Sequence, residues 1–596
     1  MIELRDQSEQ SSTSPATATG RSGGDRSLRP FVVGLLVFAC CFGCGVIVTR
    51  QYVPLQLHDD YEYTYPAFSL VRAGNLGSPL RATGLNIERR TYHLVVYYYA
   101  AVHAVLIRLF GDSPESIPLA NLFHFALIIA MLAAYSVKRP VGLTFGIAIA
   151  WFVTDTLVLR MAVVGRPEMT VAFGYLLATL MLYERLVWKN TSPTLLAWAS
   201  CGAVISALSH TAAGTILLAP IFVTFVLVDW RRLIDPRQAL AFVAPFFIPV
   251  FLYAYFLLTD DWRNIYLQLS YEFGEQTAAR HWDIVAHGRL GDFWASTGPI
   301  RADFHFGWII AILVIGLLVH LRQRTRPQAL ATSREQLHTL FFFGTCFMLS
   351  AGQNWFFLKD YVPSYSVIYR TAYYLTLGAF LSIATNWIAA MLAAVVPTAR
   401  AAAPRYARVG VLLAMGLLFG FRVVPTAVHG LGIPRASYGA FRQQLTAELI
   451  AAGARPGDKV YCPSPFATHL SPRFRVVTLL STQYFADMWP TTFDEAVEAR
   501  SAFPPDAHAR HFEKVVAFVN PKWIVIWLED YPTMREFMAF LGSFPNTRPE
   551  FHITQVREFR SDSTYVGTIQ IYRVDLDDHF SASLDRSLHP ERRLRR

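Results

Sequence analysis

The chain alternates between long apolar runs and short polar, mostly basic connections. Apolar stretches occupy Phe31–Val48, Leu195–Leu208, Gly214–Val228, Ala239–Leu258, Gly307–Val319 and Ala372–Val396. Runs of about 20 residues match the hydrocarbon core of a bilayer once wound into helix. With about 12 such segments, the pattern predicts a polytopic α-helical membrane protein of about 11–13 transmembrane helices. An inside N-terminus and an outside C-terminus require an odd number of spans. The ambiguity in the count falls within 94–168, where one segment is expected to be broken or split.

From about Ser437 the pattern changes. "GDKVYCPSP", "RVVTLLS", "KWIVIWLED", "FHITQVREF" and "GTIQIYRVDL" read as short strands, and "YGAFRQQLTAELIAAGA", "FDEAVEARSAF" and "MREFMAFLGSF" as helices. Gly457-Asp458 marks a turn into the first strand. The expected organisation is a disordered cytoplasmic tail at 1–30 and a transmembrane unit at 31–430 with an external loop at 50–93. A C-terminal soluble α/β domain at 431–580 on the periplasmic side and a basic tail at 581–596 complete it. The α/β domain contains neither a Gly-rich phosphate loop nor a nucleophile motif. No internal repeat is evident, which argues against an inverted-repeat transporter.

Composition agrees with the pattern. Of 596 residues, 53% are hydrophobic and 16% charged, against roughly 25% charged in soluble proteins. The net charge of +10 does not signal nucleic acid. Basic residues cluster in the short loops at 231–238, 320–338 and 397–408, and Arg21, Arg26 and Arg29 precede the first span. These place the loops and the N-terminus inside by the positive-inside rule, as in a multi-pass bacterial inner-membrane protein. Phe31–Val48 reads as a retained span rather than a cleaved signal. The six cysteines are scattered and form neither a disulfide nor a zinc pattern.

Candidate chemistry begins at "LHDDYEYTYPAFSLVRAGNLG", Leu57–Gly77, just past the first span. Asp59 and Asp60 are followed by Tyr63 four residues after Asp59, and by Gly74-Asn75 about 15 after it. Further on stand "ERRTYHLVVYYYAAVHAVLIRLFG" (88–111), "GRPEM" (165–169), "LSHTAAGTILLAP" (208–220) and "LKDYVPSYSV" (358–367). In type, order and spacing these pieces resemble the polytopic GT-C glycosyltransferases that use lipid-linked sugars, notably the protein O-mannosyltransferase and aminoarabinose transferase group. The resemblance covers roughly residues 31–395. The chain departs from the pattern at Arg90 and Thr91, which stand in the place of two prolines, and at Tyr361, which does not directly follow Lys359.

The resemblance implies a GT-C-like fold and transfer of a sugar from a polyprenyl-phosphate donor to an acceptor at the external face. The attacking hydroxyl must lose a proton to a carboxylate, and the departing phosphate must be held by cations as it gains charge. Attack opposite the leaving group would invert the anomeric centre. Asp59 is the expected general base, with Asp60 in reserve or orienting it. Arg89, Arg90, His210 and Lys359 are candidates for the phosphate, and Glu88 and Glu168 for orienting those cations or binding sugar hydroxyls. Tyr63 would line the groove. No cofactor is expected, although a divalent cation bound by Asp59 and Asp60 is an alternative reading. Each residue also has a plainer role, as a solvated loop acid, an interfacial anchor or a helix hydrogen-bond partner. The expected partners are membrane lipids, the polyprenyl-phosphate sugar, and an acceptor (lipid, glycan or protein) whose identity is not encoded in any readable motif. Two other classes compete: a transporter or flippase of lipid-linked saccharide, which would place charges at mid-span, and a non-catalytic cell-envelope assembly protein.

Overall fold

The structure is a computed structural model. It describes residues 25–53, 58–77, 97–259, 298–304, 306–325, 334–357, 363–395, 402–411, 433–478, 521–528, 551–561 and 567–576, with a few isolated positions between them. The helices "FDEAVEARSAF" and "MREFMAFLGSF" expected from sequence lie outside the described residues.

The first span is α1 (Asp25–Gln51), followed by a two-residue strand β1 (Tyr52–Val53) and helix α2 (His58–Ala73). Then come α3 (Tyr97–Phe110), a short 3-10 turn (Pro114–Ser116) and α4 (Leu119–Lys138). The ambiguous stretch that follows is a pair, α5 (Gly142–Phe152) and α6 (Thr156–Val163), bent by 70° at the break. The break has a local cause. The Asp155 carboxylate accepts from the backbone N–H groups of Leu157 (2.8 Å) and Val158 (3.2 Å) and so caps a new helix. The bundle continues through α7 (Glu168–Leu186), α8 (Pro193–Ser209), α9 (Thr211–Leu233), α10 (Pro236–Val243) and α11 (Phe247–Thr259). It ends with α12 (Gly298–Phe304), α13 (Phe306–Thr325), α14 (Arg334–Phe357) and α15 (Pro363–Val395). Among the described residues, five helices are long and apolar enough to cross a membrane, or six with the bent α5–α6 pair; α3, α8 and part of α13 are shorter apolar rods.

Packing in the bundle relies on small residues, as expected where lipid supplies no hydrophobic drive between helices. Gly174 and Ala178 of α7 face Gly202 and Ser206 of α8. A Cβ added at Gly202 would lie 2.5 Å from the Gly174 carbonyl oxygen and 2.7 Å from the Ala178 nitrogen. One apolar core joins α4, α5, α7, α9, α14 and α15, while much of α1, α10, α11 and α13 is exposed apolar surface, as suits helices set in lipid.

The C-terminal unit carries β2 (Ile433–Pro434), α16 (Arg435–Ala451), β3 (Lys459–Cys462), α17 (Ser464–Leu470), β4 (Arg475–Thr478), β5 (Trp523–Trp527), β6 (Phe551–Arg560) and β7 (Thr568–Leu576). Its sheet runs in the order β4-β3-β5-β7-β6, with β3 parallel to β4 and β5, and β7 antiparallel to β5 and β6. All five strands fall where alternating and β-branched residues predict them. The strand expected over "GDKVYCPSP" ends at Cys462, and α17 begins at Ser464. Proline suits the first turn of a helix, where no backbone donor is needed.

The unit is not an appendage. Its core residues Phe441, Leu445, Phe466 and Trp523 form one cluster with Tyr65 and Phe68 of α2 and Tyr99 and Ile107 of α3. Strand β1, at the exit of the first span, pairs antiparallel with β2, at the start of the unit. Arg72 on the last turn of α2 clamps the joint. Its guanidinium makes two bonds to Asp112 (2.6 and 2.7 Å), and its Nη1 donates to Ser471 Oγ at 2.6 Å.

Two outcomes follow from this packing. Gly202→Ala should destabilise the bundle by about 1–3 kcal/mol, the range for overpacking. Gly43→Ala, with nothing within 4 Å of the added Cβ, should be neutral, and thermal melts in detergent compare the two. The second concerns His469 in α17. Burial, and the nearby positive charge of Arg442, hold its imidazole well below the usual histidine range. The unfolded chain takes up a proton near about pH 6.5 and the folded chain does not, so stability falls as pH drops through that value. Melts between pH 7 and 5 should show this slope, and His469→Leu should flatten it.

Candidate active site

The site is built where the start of α2 meets the corner between α6 and α7. Asp59 and Asp60 lie in the first turn of α2; their side chains, like those of Tyr61 and Glu62, lie outside the described residues. One turn on, the half-buried Tyr63 turns its ring toward two partners. The Arg166 guanidinium stands over it at 5.5 Å, and the His210 ring is 6.2 Å away, centre to centre. At the other end of α2, Gly74 adopts φ +71°, the left-handed geometry that terminates helices. Asn75 Oδ1 accepts from Ser69 Oγ (2.6 Å) and from the Gly77 backbone N–H (3.1 Å). The Gly-Asn pair noted in the sequence therefore works as the helix stop.

Glu168 is the first residue of α7 and is fully buried. Arg166, two residues before it and 8% exposed, sends both Nε and Nη2 to Glu168 Oε1 at 2.8 Å. Oε2 has no hydrogen-bond partner among the described residues. Placing a carboxylate on the first turn of a helix is favourable, yet a buried ion pair endures only if its geometry is fixed. Asn121 of α4 supplies that fixation. Its Nδ2 donates toward the carbonyls of Met161 (3.1 Å), Val164 (2.7 Å) and Arg166. Tyr99 of α3 donates its hydroxyl to the Gly165 carbonyl at 2.8 Å.

His210 occupies the joint between α8 and α9. Its Nδ1 accepts from the Ala213 backbone N–H at 3.3 Å, which places the ring proton of the neutral form on Nε2. Tyr365 of α15 meets the imidazole edge-on at 5.2 Å.

The far end of α6 is anchored as firmly. Arg370 of α15 donates Nη1 to Asp155 and Nη2 to Asp303, each at 2.6 Å, and Tyr374 donates its hydroxyl to Asp155. Helix α6 is thus a short strut pinned by Asp155 at its start and by Asn121 at its end. The opposite end of the bundle is closed by other charges. Glu184 of α7 pairs with Lys138 and Arg139 of α4, and Arg185 bridges Asp229 and Gln238.

The structure brings together Tyr63, Glu168 and His210 from the sequence candidates, and sets the helix of Asp59 and Asp60 beside them. Glu88, Arg89, Arg90 and Lys359 lie outside the described residues. Arg166 lay unremarked inside "GRPEM", and Asn121, Asp155, Arg370 and Tyr365 carried no signal in the sequence. Among the described residues no group of three or more His, Cys, Asp or Glu side chains is placed to hold a metal. All six cysteines are free thiols, and burial raises the thiol pKa of Cys462 in the α/β domain, which keeps it from acting as a thiolate nucleophile.

A helical bundle, an acid-bearing helix just past the first span and an α/β unit docked on that helix make up an architecture that solved structures share. The chain shares its fold with ArnT, the aminoarabinose transferase, from Cupriavidus metallidurans bound to undecaprenyl phosphate, with a TM-score of 0.51 at 12% identity over 92% of this chain and 98% of that one. The apo form of the same protein gives a TM-score of 0.51 at 13% identity over the same shares. No protein-family model matches the chain, and no curated protein matches it.

The Arg166–Glu168 pair makes a direct prediction. Glu168→Gln leaves a buried guanidinium uncompensated and should cost about 3–5 kcal/mol. The Arg166→Met, Glu168→Gln double variant should recover part of that loss. A double-mutant cycle read by unfolding in detergent measures the coupling; strictly additive losses would show that the pair is not a unit.

Proposed function

We propose that the protein is an integral-membrane glycosyltransferase that takes its sugar from a polyprenyl-phosphate carrier and delivers it to an acceptor at the periplasmic face. One observation carries the reading. The fold matches nearly the whole of a transferase solved with undecaprenyl phosphate, and the cluster of Tyr63, Arg166, Glu168 and His210 gathers beside the start of α2, where that reading needs its base.

In this reading the donor's lipid tail runs along the outer surface of the bundle and its phosphate lies at headgroup level. Asp59 takes the proton from the acceptor hydroxyl as the oxygen attacks the anomeric carbon. The bond from that carbon to the phosphate oxygen breaks, and the electron pair leaves with the phosphate, so the anomeric centre inverts. Asp60 orients the base, or shares a divalent cation with it. Arg89, Arg90 and Lys359 supply positive charge to the departing phosphate. Arg166 and Glu168 shape the sugar pocket, Tyr63 and Tyr365 wall it, and His210 offers a ring N–H to a sugar or phosphate oxygen.

The transporter reading fares worse on a specific feature. Alternating access requires the inner end to open, and that end is tied by buried or half-buried ion pairs across α4, α7, α9 and α10. Opening it would have to break these ion pairs and hydrogen bonds across four helices at once.

The test is a transfer assay with purified protein and a panel of polyprenyl-phosphate sugars. Asp59→Asn should lower the rate by about 10²–10⁴-fold, the usual contribution of a general base, while the protein stays folded. Activity retained in both Asp59→Asn and Asp60→Asn would remove the assignment, and a chelator arm separates the cation role from the base role. Consumption of no donor would leave the assembly-protein reading in its place.

A further inference from the structure

A second concavity lies away from the cluster, where the α/β unit meets the membrane bundle. It encloses about 980 Å³, the scale of an oligosaccharide-sized ligand rather than a single ion. Three parts of the chain line it: Glu115 from the 3-10 turn after α3, Arg442, Gln443 and Thr446 from α16, and His469 and Arg473 from α17 and the turn that follows. Arg442 Nη1 meets Glu115 Oε1 at 3.0 Å, so the one acid on this wall is neutralised. Arg473 is exposed, and its guanidinium has no hydrogen bond or ion pair among the described residues; only its backbone is engaged, with Leu470 and Gly457. The wall thus presents one uncompensated positive charge beside a carboxamide and a hydroxyl on successive turns of one helix.

We propose that this groove binds an anionic segment of the acceptor glycan, a saccharide bearing carboxylates along a chain of hydroxyls. The term acceptor rests on the transferase reading above; the binding of an anionic saccharide does not. A guanidinium is a donor-only fork that fits a carboxylate through two parallel bonds. Gln443 and Thr446 can both donate to and accept from hydroxyls. Nine of its ten lining residues belong to the α/β unit, which favours a water-borne polymer over a membrane lipid. It is also tied to the site. Ser471, two residues before Arg473, is the residue that Arg72 of α2 holds at 2.6 Å. Thirteen residues of helix separate Arg72 from Asp59, or about 20 Å at 1.5 Å per residue. A strand held in the groove would therefore lie within a few sugar units of the proposed base.

The experiment uses the full-length protein in detergent micelles and calorimetric titration. The probes are a tetragalacturonate and its methyl-esterified, neutral counterpart. Saturable binding of the tetragalacturonate is expected, with Kd below about 1 mM and weakening as salt rises. Arg473→Glu should weaken it at least tenfold, Arg473→Lys should keep most of it, and the neutral ester should bind at least tenfold more weakly than the acid. Absence of saturable binding, equal binding of the ester, or no change in Arg473→Glu would overturn the proposal, and so would full displacement by phosphatidylglycerol micelles, which would point to a lipid headgroup. Binding of polyprenyl phosphate should be the same in Arg473→Glu as in the parent. A protein that binds the tetragalacturonate but consumes no lipid-linked donor would refute the transferase reading and leave the groove standing.

Discussion

The buried ion pair between Arg166 and Glu168 is the constraint around which the site is arranged. A carboxylate with no exposed surface and a guanidinium at 8% exposure each lose hydration, and their attraction offsets that loss only while the geometry stays fixed. The rest of the corner supplies the fixing. Asn121 ties three carbonyls of the preceding loop, Tyr99 ties a fourth, and α6 is held at its start by the Asp155–Arg370–Asp303 network. These contacts come from α3, α4, α12 and α15, so elements far apart in sequence converge on one turn of chain. The 70° break between α5 and α6 is part of the same arrangement, since it frees α6 to serve as the strut.

The α/β unit has a comparable role on the other side of the site. Because it shares a core with α2 and α3, the helix bearing Asp59 and Asp60 is braced by folded protein and not only by lipid and water. Arg72 fixes one end of that helix, and Gly74 ends it where Arg72 can reach both Asp112 and Ser471. A helix at a membrane surface is otherwise free to slide and tilt with the headgroups. The docked unit removes that freedom, and preorganisation of this kind would serve the proposed transfer, in which Asp59 takes a proton from the acceptor hydroxyl.

Much of this was legible in the chain, for identifiable reasons. Apolar runs mark the bundle because the bilayer demands them. Runs of β-branched and aromatic residues mark the strands, and β3 and β5 at the centre of the sheet are buried along nearly their whole length. Tyr63, Glu168 and His210 could be selected because their types and order resemble a known pattern. Asn121 could not: a single asparagine in an apolar helix gives no sign that three carbonyls, 40 to 45 residues away, will meet it. The same holds for Asp155 and Arg370, which are 215 residues apart. Arg166 was hidden by its setting, since an arginine before a proline reads as a loop residue. Pairings of this kind depend on how helices cross, and hydrophobic periodicity records only which face is buried.

The central claim is that a lipid-linked phosphate binds at the corner of α2, α7 and the α8–α9 joint. The most direct measurement is a cryo-electron-microscopy reconstruction of the protein with undecaprenyl phosphate in a lipid nanodisc. Phosphate density within hydrogen-bonding reach of the His210 side chain, at the edge of the pocket shaped by Tyr63 and Arg166, with the isoprenoid tail leaving sideways into the bilayer, is the predicted result. Phosphate density at the opposite end of the bundle, beside Lys138 and Arg139, or an empty corner in a map that resolves the lipid elsewhere, would contradict it.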